Sequence, residues 1–186
     1  MTLLEMRKKI LKLIEEYEST AGNTKFTKDV DISAKIDDCI NIIQNELSRI
    51  KKIPVYEEID VKENEIIELN DELDNFFQLK NISNVTFKQV NENTIKFLED
   101  GIAEISYYKY PKQITESTND SYKFELSIDV LEIMPLGVAG LVLSSDVSQG
   151  YGNIYTQKYE TMLNRLDVRY SMGTITIEDG GLPDGF

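Results

Sequence analysis

The side chains that carry most enzyme chemistry are scarce in this sequence of 186 residues, which has no histidine at all. Serine–histidine–aspartate and cysteine–histidine catalysis both need an imidazole to take the nucleophile's proton, so neither is available, and most zinc sites go with them. The one cysteine, Cys39, lies in an apolar helical stripe. A reactive thiolate needs a basic, open setting, so Cys39 reads as a buried structural thiol. A lone cysteine also rules out a disulfide within the chain. No glycine precedes a Lys-Ser or Lys-Thr at the spacing of a P-loop, and Gly150-Tyr151-Gly152 is only a fragment of a glycine-rich phosphate loop. No twelve-residue calcium loop is present.

Carboxylates are abundant, 33 Asp and Glu, so adjacent pairs such as Asp37-Asp38 and Glu57-Glu58 are expected by chance. Neighbours on a helix or strand point apart, whereas acid–base or Mg2+ chemistry needs convergent oxygens. A metal-dependent hydrolase is therefore the enzyme alternative, with no cluster to nominate. Phe87, Phe97, Tyr107, Tyr108 and Tyr110 could stack nucleic-acid bases. In an acid-rich segment they read instead as one sheet face packed on helices. The expectation is a protein that is not an enzyme, uses no cofactor and no metal, and works by binding other proteins.

The net charge is −13 and unevenly placed. Residues 1–53 carry ten basic and nine acidic side chains, 54–126 seven and sixteen, and 127–186 three and eight. The middle and end repel phosphate backbones, which argues against a nucleic-acid grip. No apolar run approaches the roughly 20 residues of a membrane span. Met1 to Tyr17 mixes Glu and Lys with its apolar residues, unlike a secretory signal. Without one, the sequons at Asn81, Asn84 and Asn119 read as chance.

These residues must be positioned by a helix–helix, strand-rich, helix–helix order. Thr2 and Glu5 form a capping-box pattern, and Leu3, Met6, Ile10, Leu13, Ile14 and Tyr17 follow at helical spacing, with Gly22 and Asn23 ending the helix. Asp29 or Asp31 caps a second helix with the stripe Ile32, Ile36, Cys39, Ile40, Ile43, Leu47 and Ile50, which Pro54 stops. Strands are expected over 55–61 and near Ile66, then a meander over 85–90, 94–98 and 102–110. Tyr122 to Leu126 reads as a short strand or extended lead-in. Val130, Leu131, Met134, Val138, Leu141 and Val142 form a third helix, with Pro135 at a first-turn or kinked position. Gly137, Gly140 and Ser144 share one face of it, where another helix can approach closely. Tyr155, Tyr159, Met162, Leu163 and Leu166 form a fourth, its tyrosines packed in the core. The expected fold is α+β: a four-helix bundle built from 1–53 and 127–169, an antiparallel β subdomain inserted at 54–126, and an extended arm at 170–186.

The run Phe124-Glu-Leu-Ser-Ile-Asp-Val-Leu-Glu-Ile-Met-Pro-Leu-Gly-Val-Ala-Gly-Leu-Val-Leu-Ser-Ser-Asp146 resembles head–tail adaptor proteins of tailed bacteriophages. Tyr155-Thr-Gln-Lys-Tyr-Glu-Thr-Met-Leu-Asn-Arg-Leu-Asp167 is similar to their final helix, with its Leu-Asp-x-Arg ending at Leu166 to Arg169. The two N-terminal helices and the Ile53-Pro54 exit into strands also fit. The matching residues are packing residues and carry no catalytic signature.

The resemblance implies a virion neck protein, made in the host cytoplasm. It would form a ring of copies, commonly twelve, docked on the portal protein. The ring would extend the DNA channel without binding DNA specifically and offer a platform to the next neck or tail protein. By the same analogy the arm would contact the portal through Tyr170, Met172, Ile175, Ile177, Leu182 and Phe186. The strand-rich insertion is larger than in small adaptors. A tail-completion or tail-terminator protein is the alternative within the same class.

Overall fold

A computed structural model describes residues 1–14, 18–20, 23–25, 30–144 and 149–171. Helix α1 spans Leu3–Leu13 and opens with the capping box: Thr2 N–H donates to Glu5 Oε2 at 2.9 Å and Glu5 N–H to Thr2 Oγ1 at 3.2 Å. That reciprocal pair satisfies two of the amide donors that a helix start leaves without partners. Segment 120–124 closes the same end, because Leu3 and Leu4 N–H donate to the carbonyls of Tyr122 and Asp120. A two-stranded hairpin follows, β1 (Glu18–Thr20) and β2 (Asn23–Lys25), then helix α2 (Val30–Ile50). The helix expected to run to Gly22 thus ends at Leu13, with Ile14 as its C-cap. Asp31 sits inside α2, and Asp29 lies outside the described residues.

The strand-rich middle contains β3 (Ile53–Val61), β4 (Ile66–Glu68), the single-turn α3 (Leu69–Glu72), β5 (Phe76–Ser83), β6 (Phe87–Gln89), β7 (Thr94–Phe97) and β8 (Gly101–Lys109). Two antiparallel sheets result, ordered β3-β8-β5 and β4-β7-β6. Asn64, Asn75 and Asn84 take positive φ between elements, which asparagine tolerates better than most residues. The expected β6-β7-β8 meander is corrected. β7 and β6 do pair, but β8 leaves them and runs between β3 and β5, with Glu57 opposite Ile105 and Leu79 opposite Tyr107. Tyr122–Leu126 is an extended lead-in rather than a named strand, touching Thr2 by one bridge from Lys123.

Helix α4 covers Ile128–Ser144 and α5 covers Gln149–Ser171. The expected four-helix bundle is not what the chain builds. It has five helices among its described residues, α3 lying among the strands and the other four before and after them, and α1, α2 and α5 each pack on α4. The cause is α4 itself, ten of whose seventeen residues are buried. A helix this apolar packs against three neighbours, with Glu132 and Leu136 left on its open side, whereas a bundle corner buries one stripe. Pro135 is buried in the interior of α4, not in its first turn.

The described residues form two hydrophobic cores. One joins α1, α2, α4 and α5 through Leu3, Met6, Ile40, Leu47, Met134 and Tyr159. The other belongs to the strands and centres on Ile95, Phe97, Ile105 and Tyr107. Phe97 and Tyr107 therefore pack within their own sheets, not on the helices. Tyr170 and Ser171 belong to α5; of the expected arm, Met172, Ile175, Ile177, Leu182 and Phe186 lie outside the described residues.

Candidate functional site

Function could lie in a reactive centre or in a docking surface, and the carboxylates test the first. Asp37 is taken by Arg7, whose Nε and Nη2 donate to its two oxygens at 2.9 and 2.5 Å, while Nη1 donates to Asp120 at 2.7 Å. This three-residue network ties α1 to α2 and to the segment before α4. Asp38, next to Asp37, is exposed. Glu57 accepts from the Tyr107 hydroxyl at 2.9 Å, and burial beside Glu57 pushes that hydroxyl's pKa upward. Glu58 points the other way, to solvent, directly across from Glu104 on β8. Neither adjacent pair converges. Among the described residues no three Cys, Asp or Glu are grouped as metal ligands would be. Cys39 is buried, and desolvation raises its thiol pKa, the opposite of nucleophile activation.

The aromatic residues are equally committed. Phe97 and Tyr107 have no exposed surface. Tyr108 lies under the Lys52 ammonium at 4.9 Å from its ring centroid, and Tyr110 packs on Phe77 at 4.7 Å. Lys52 Nζ also donates to Gln78 Oε1 at 2.6 Å. This cation–aromatic contact anchors the end of α2 to the sheet at the β3 exit.

The most distinctive surface is built where α5 meets α4. A Cβ on Gly140 would stand 2.6 Å from Thr156 Oγ1 and 3.2 Å from its backbone nitrogen. One on Gly137 would meet Tyr159 and Ile43 at 3.0 Å, and one on Gly152 would meet the Ser144 nitrogen at 3.0 Å. Gly137, Gly140 and Ser144 thus lie where α5 crosses α4 at backbone contact. Ser144 Oγ donates back to the Leu141 carbonyl at 2.9 Å. Tyr159 of α5 is buried against Gly137 of α4 and beside Ile43 of α2, with Glu46 nearby, and burial drives its pKa up. Tyr155 is half-buried and donates to the Leu13 carbonyl at 2.8 Å, giving one of the orphan carbonyls of α1 a partner.

This close approach leaves a groove of about 380 Å3 beside the crossing, lined by Leu136 of α4 and by Ile154, Gln157, Lys158, Thr161 and Met162 of α5. Ile154 is 47% exposed and Met162 37%. Lys158 is the one charged residue among the described residues of the lining, and its ammonium lies 5.7 Å from the Tyr155 ring centroid.

Sequence reading missed the Arg7 network, because its partners lie 30 and 113 residues away. It also missed the groove. Met162 was assigned to the core stripe of α5, yet Tyr159, Leu163 and Leu166 turn inward around it. The helical period offered a signal, since Ile154, Lys158, Thr161 and Met162 recur at spacings of four, three and one on a different face. No described helix is long and apolar enough to cross a membrane. Compared with known proteins, the chain matches no family model and no curated protein sequence.

Proposed function

We propose that this chain is a structural protein of a tailed-phage virion, a head–tail adaptor that assembles as a ring beneath the portal. It would extend the DNA channel and present the platform on which the tail is built. The observation that carries this is where the adaptor-like residues fall. From Phe124 to Ser144 and from Tyr155 to Asp167 they occupy one continuous unit: the lead-in, helix α4, and α5 packed against it at glycine contact. A resemblance made of packing residues has more weight when those residues pack against one another.

The charge supports the same role. The strand-rich segment 54–126 holds sixteen acidic and seven basic residues, and its exposed positions include Glu58, Asp60, Glu63 and Asp71. An acidic wall repels phosphates and lets DNA slide past without gripping it. Assembly would proceed by side-by-side packing of copies, twelve by analogy, with residues 172–186 engaging the portal.

The test is co-purification with the portal protein encoded in the same phage genome, followed by imaging, for the full chain and for a chain ending at Ser171. A ring on the portal that is lost on truncation is the expected result. Failure of the full chain to associate would overturn portal docking and leave a tail-completion or tail-terminator role.

A further inference from the structure

We propose that the cleft between β5 and β6 takes, as an added strand, an extended peptide segment of a partner protein that carries a basic side chain. This site goes beyond the adaptor role and does not depend on it. Only three residues, 84–86, separate β5 from β6, with Asn84 at φ 69° in the turn. Consecutive strands joined so closely commonly pair. These do not. Among the described residues β5 pairs with β8 and β6 with β7, so each is the edge of its sheet. A cleft of about 330 Å3 lies between them at the end away from the turn. It is lined by Phe76 to Leu79 of β5, by Gln89 of β6, and by Glu92 and Asn93 of the β6–β7 turn.

The flanking edges offer the groups a strand needs. Val90 N–H donates to the Thr94 carbonyl and Leu98 N–H to the Thr86 carbonyl, each at 2.9 Å. Thr86 and Val90 therefore turn their backbone groups toward β7, and antiparallel alternation leaves those of Phe87 and Gln89 on the free edge. The lining stretch of β5 spans about 10 Å, which matches about three residues of a facing strand. The side chains select the occupant. Gln78, Gln89 and Asn93 are carboxamides, which both donate to and accept from a peptide backbone. Gln78 Oε1 accepts from Lys52, which leaves its amide N–H groups for a ligand, and the Gln89 and Asn93 side chains have no partner among the described residues. Glu92 is the one charged residue among the described residues of the lining, exposed and likewise unpaired, so it favours Lys or Arg in the incoming strand. Main-chain pairing supplies affinity and the Glu92 contact supplies selectivity.

The test adds three capped tripeptides to the isotope-labelled full chain and follows its backbone amides by NMR. The probes are acetyl-Val-Arg-Val-amide, the same peptide with Glu for Arg, and the same peptide with an N-methylated arginine. Shifts from the arginine probe are expected to saturate in the millimolar range and to centre on residues 76–79 and 87–93. The glutamate probe should bind about tenfold more weakly, and Glu92→Lys should reverse that order. N-methylation removes a backbone donor that faces one edge or the other, so that probe should lose most of its binding. Equal binding of the methylated probe would overturn strand addition. Equal binding of the two charges, or no saturable shift at those residues, would overturn the site. Shifts there that grow with protein concentration alone would place a second copy in the cleft and overturn the partner.

Discussion

Helix α4 and strand β8 are both hubs, yet they are written differently. α4 is packed by α1, α2 and α5, and Val130, Ile133, Met134, Val138, Ala139 and Val142 are buried around its girth. β8 lies between β3 and β5 but is covered on one face, so Ala103, Ile105 and Tyr107 are buried while Ile102, Glu104 and Ser106 are not. An element covered on one side keeps its polar–apolar period, and an element packed on most of its sides largely loses it. The helical hub therefore announces burial without announcing direction. The strand hub announces direction without announcing partners.

The two cores make that contrast measurable. Phe97→Ala empties a wholly buried site in the strand core and should cost about 4 kcal/mol. Hydrogen exchange is expected to show lost protection in β3, β7 and β8 while α4 keeps its slow amides; loss in both regions together would mean that the cores act as one. Gly140→Val strikes the helical core instead. With its Cβ at 2.6 Å from Thr156 Oγ1, α5 must move away from α4, at about 2–3 kcal/mol in chemical denaturation. The strand amides should stay protected.

A smaller effect in the helical core is read by pH. Burial raises the Tyr122 pKa from 10.0 to about 12. Its folded form holds the proton more tightly than the unfolded form, so this stability is complete below pH 10 and is lost as pH climbs through 12. After allowance for the partial exposure of this ring the loss is about 1 kcal/mol. Tyr122→Phe should flatten the alkaline limb of the stability curve by that amount, read from denaturant midpoints between pH 9 and 12. The smallest expected change is on the strand exterior. Glu58 and Glu104 face each other in register, and like charges there are unfavourable. Glu58→Lys should stabilise by about 0.5 kcal/mol at low salt, with the gain fading as salt is added.

Much of the helical architecture was legible. Of the expected stripes, Leu3, Met6, Ile10, Ile14, Ile36, Cys39, Ile40, Ile43 and Leu47 are buried while Leu13 and Ile50 are half-buried, and the Thr2–Glu5 capping box is formed. The glycine face of α4 was legible too, because Gly137, Gly140 and Ser144 are separated by three and four residues. What failed was the assembly of these parts. A bundle was expected because four helical segments flank the strands, but nothing in the period of α4 says which neighbours lie on which side. The strand order failed for the same reason: β8 carries a clear alternation, yet Val55 and Leu79, not the nearby β7, supply the partners of Tyr107.

The sequence by itself determined that no histidine and only one cysteine are present, the charge the chain displays, and which faces of α1, α2 and β8 turn inward. All three depend on residue type and on periods of two to four residues, within reach of the local backbone. Only the tertiary structure decided that α4 is packed by three helices, that β8 is central, that Arg7 bridges Asp37 and Asp120, and that a groove lined by Lys158 opens beside α5. Each of those depends on contacts between residues tens of positions apart. Such contacts are selected by the joint burial of several elements, which no single segment encodes.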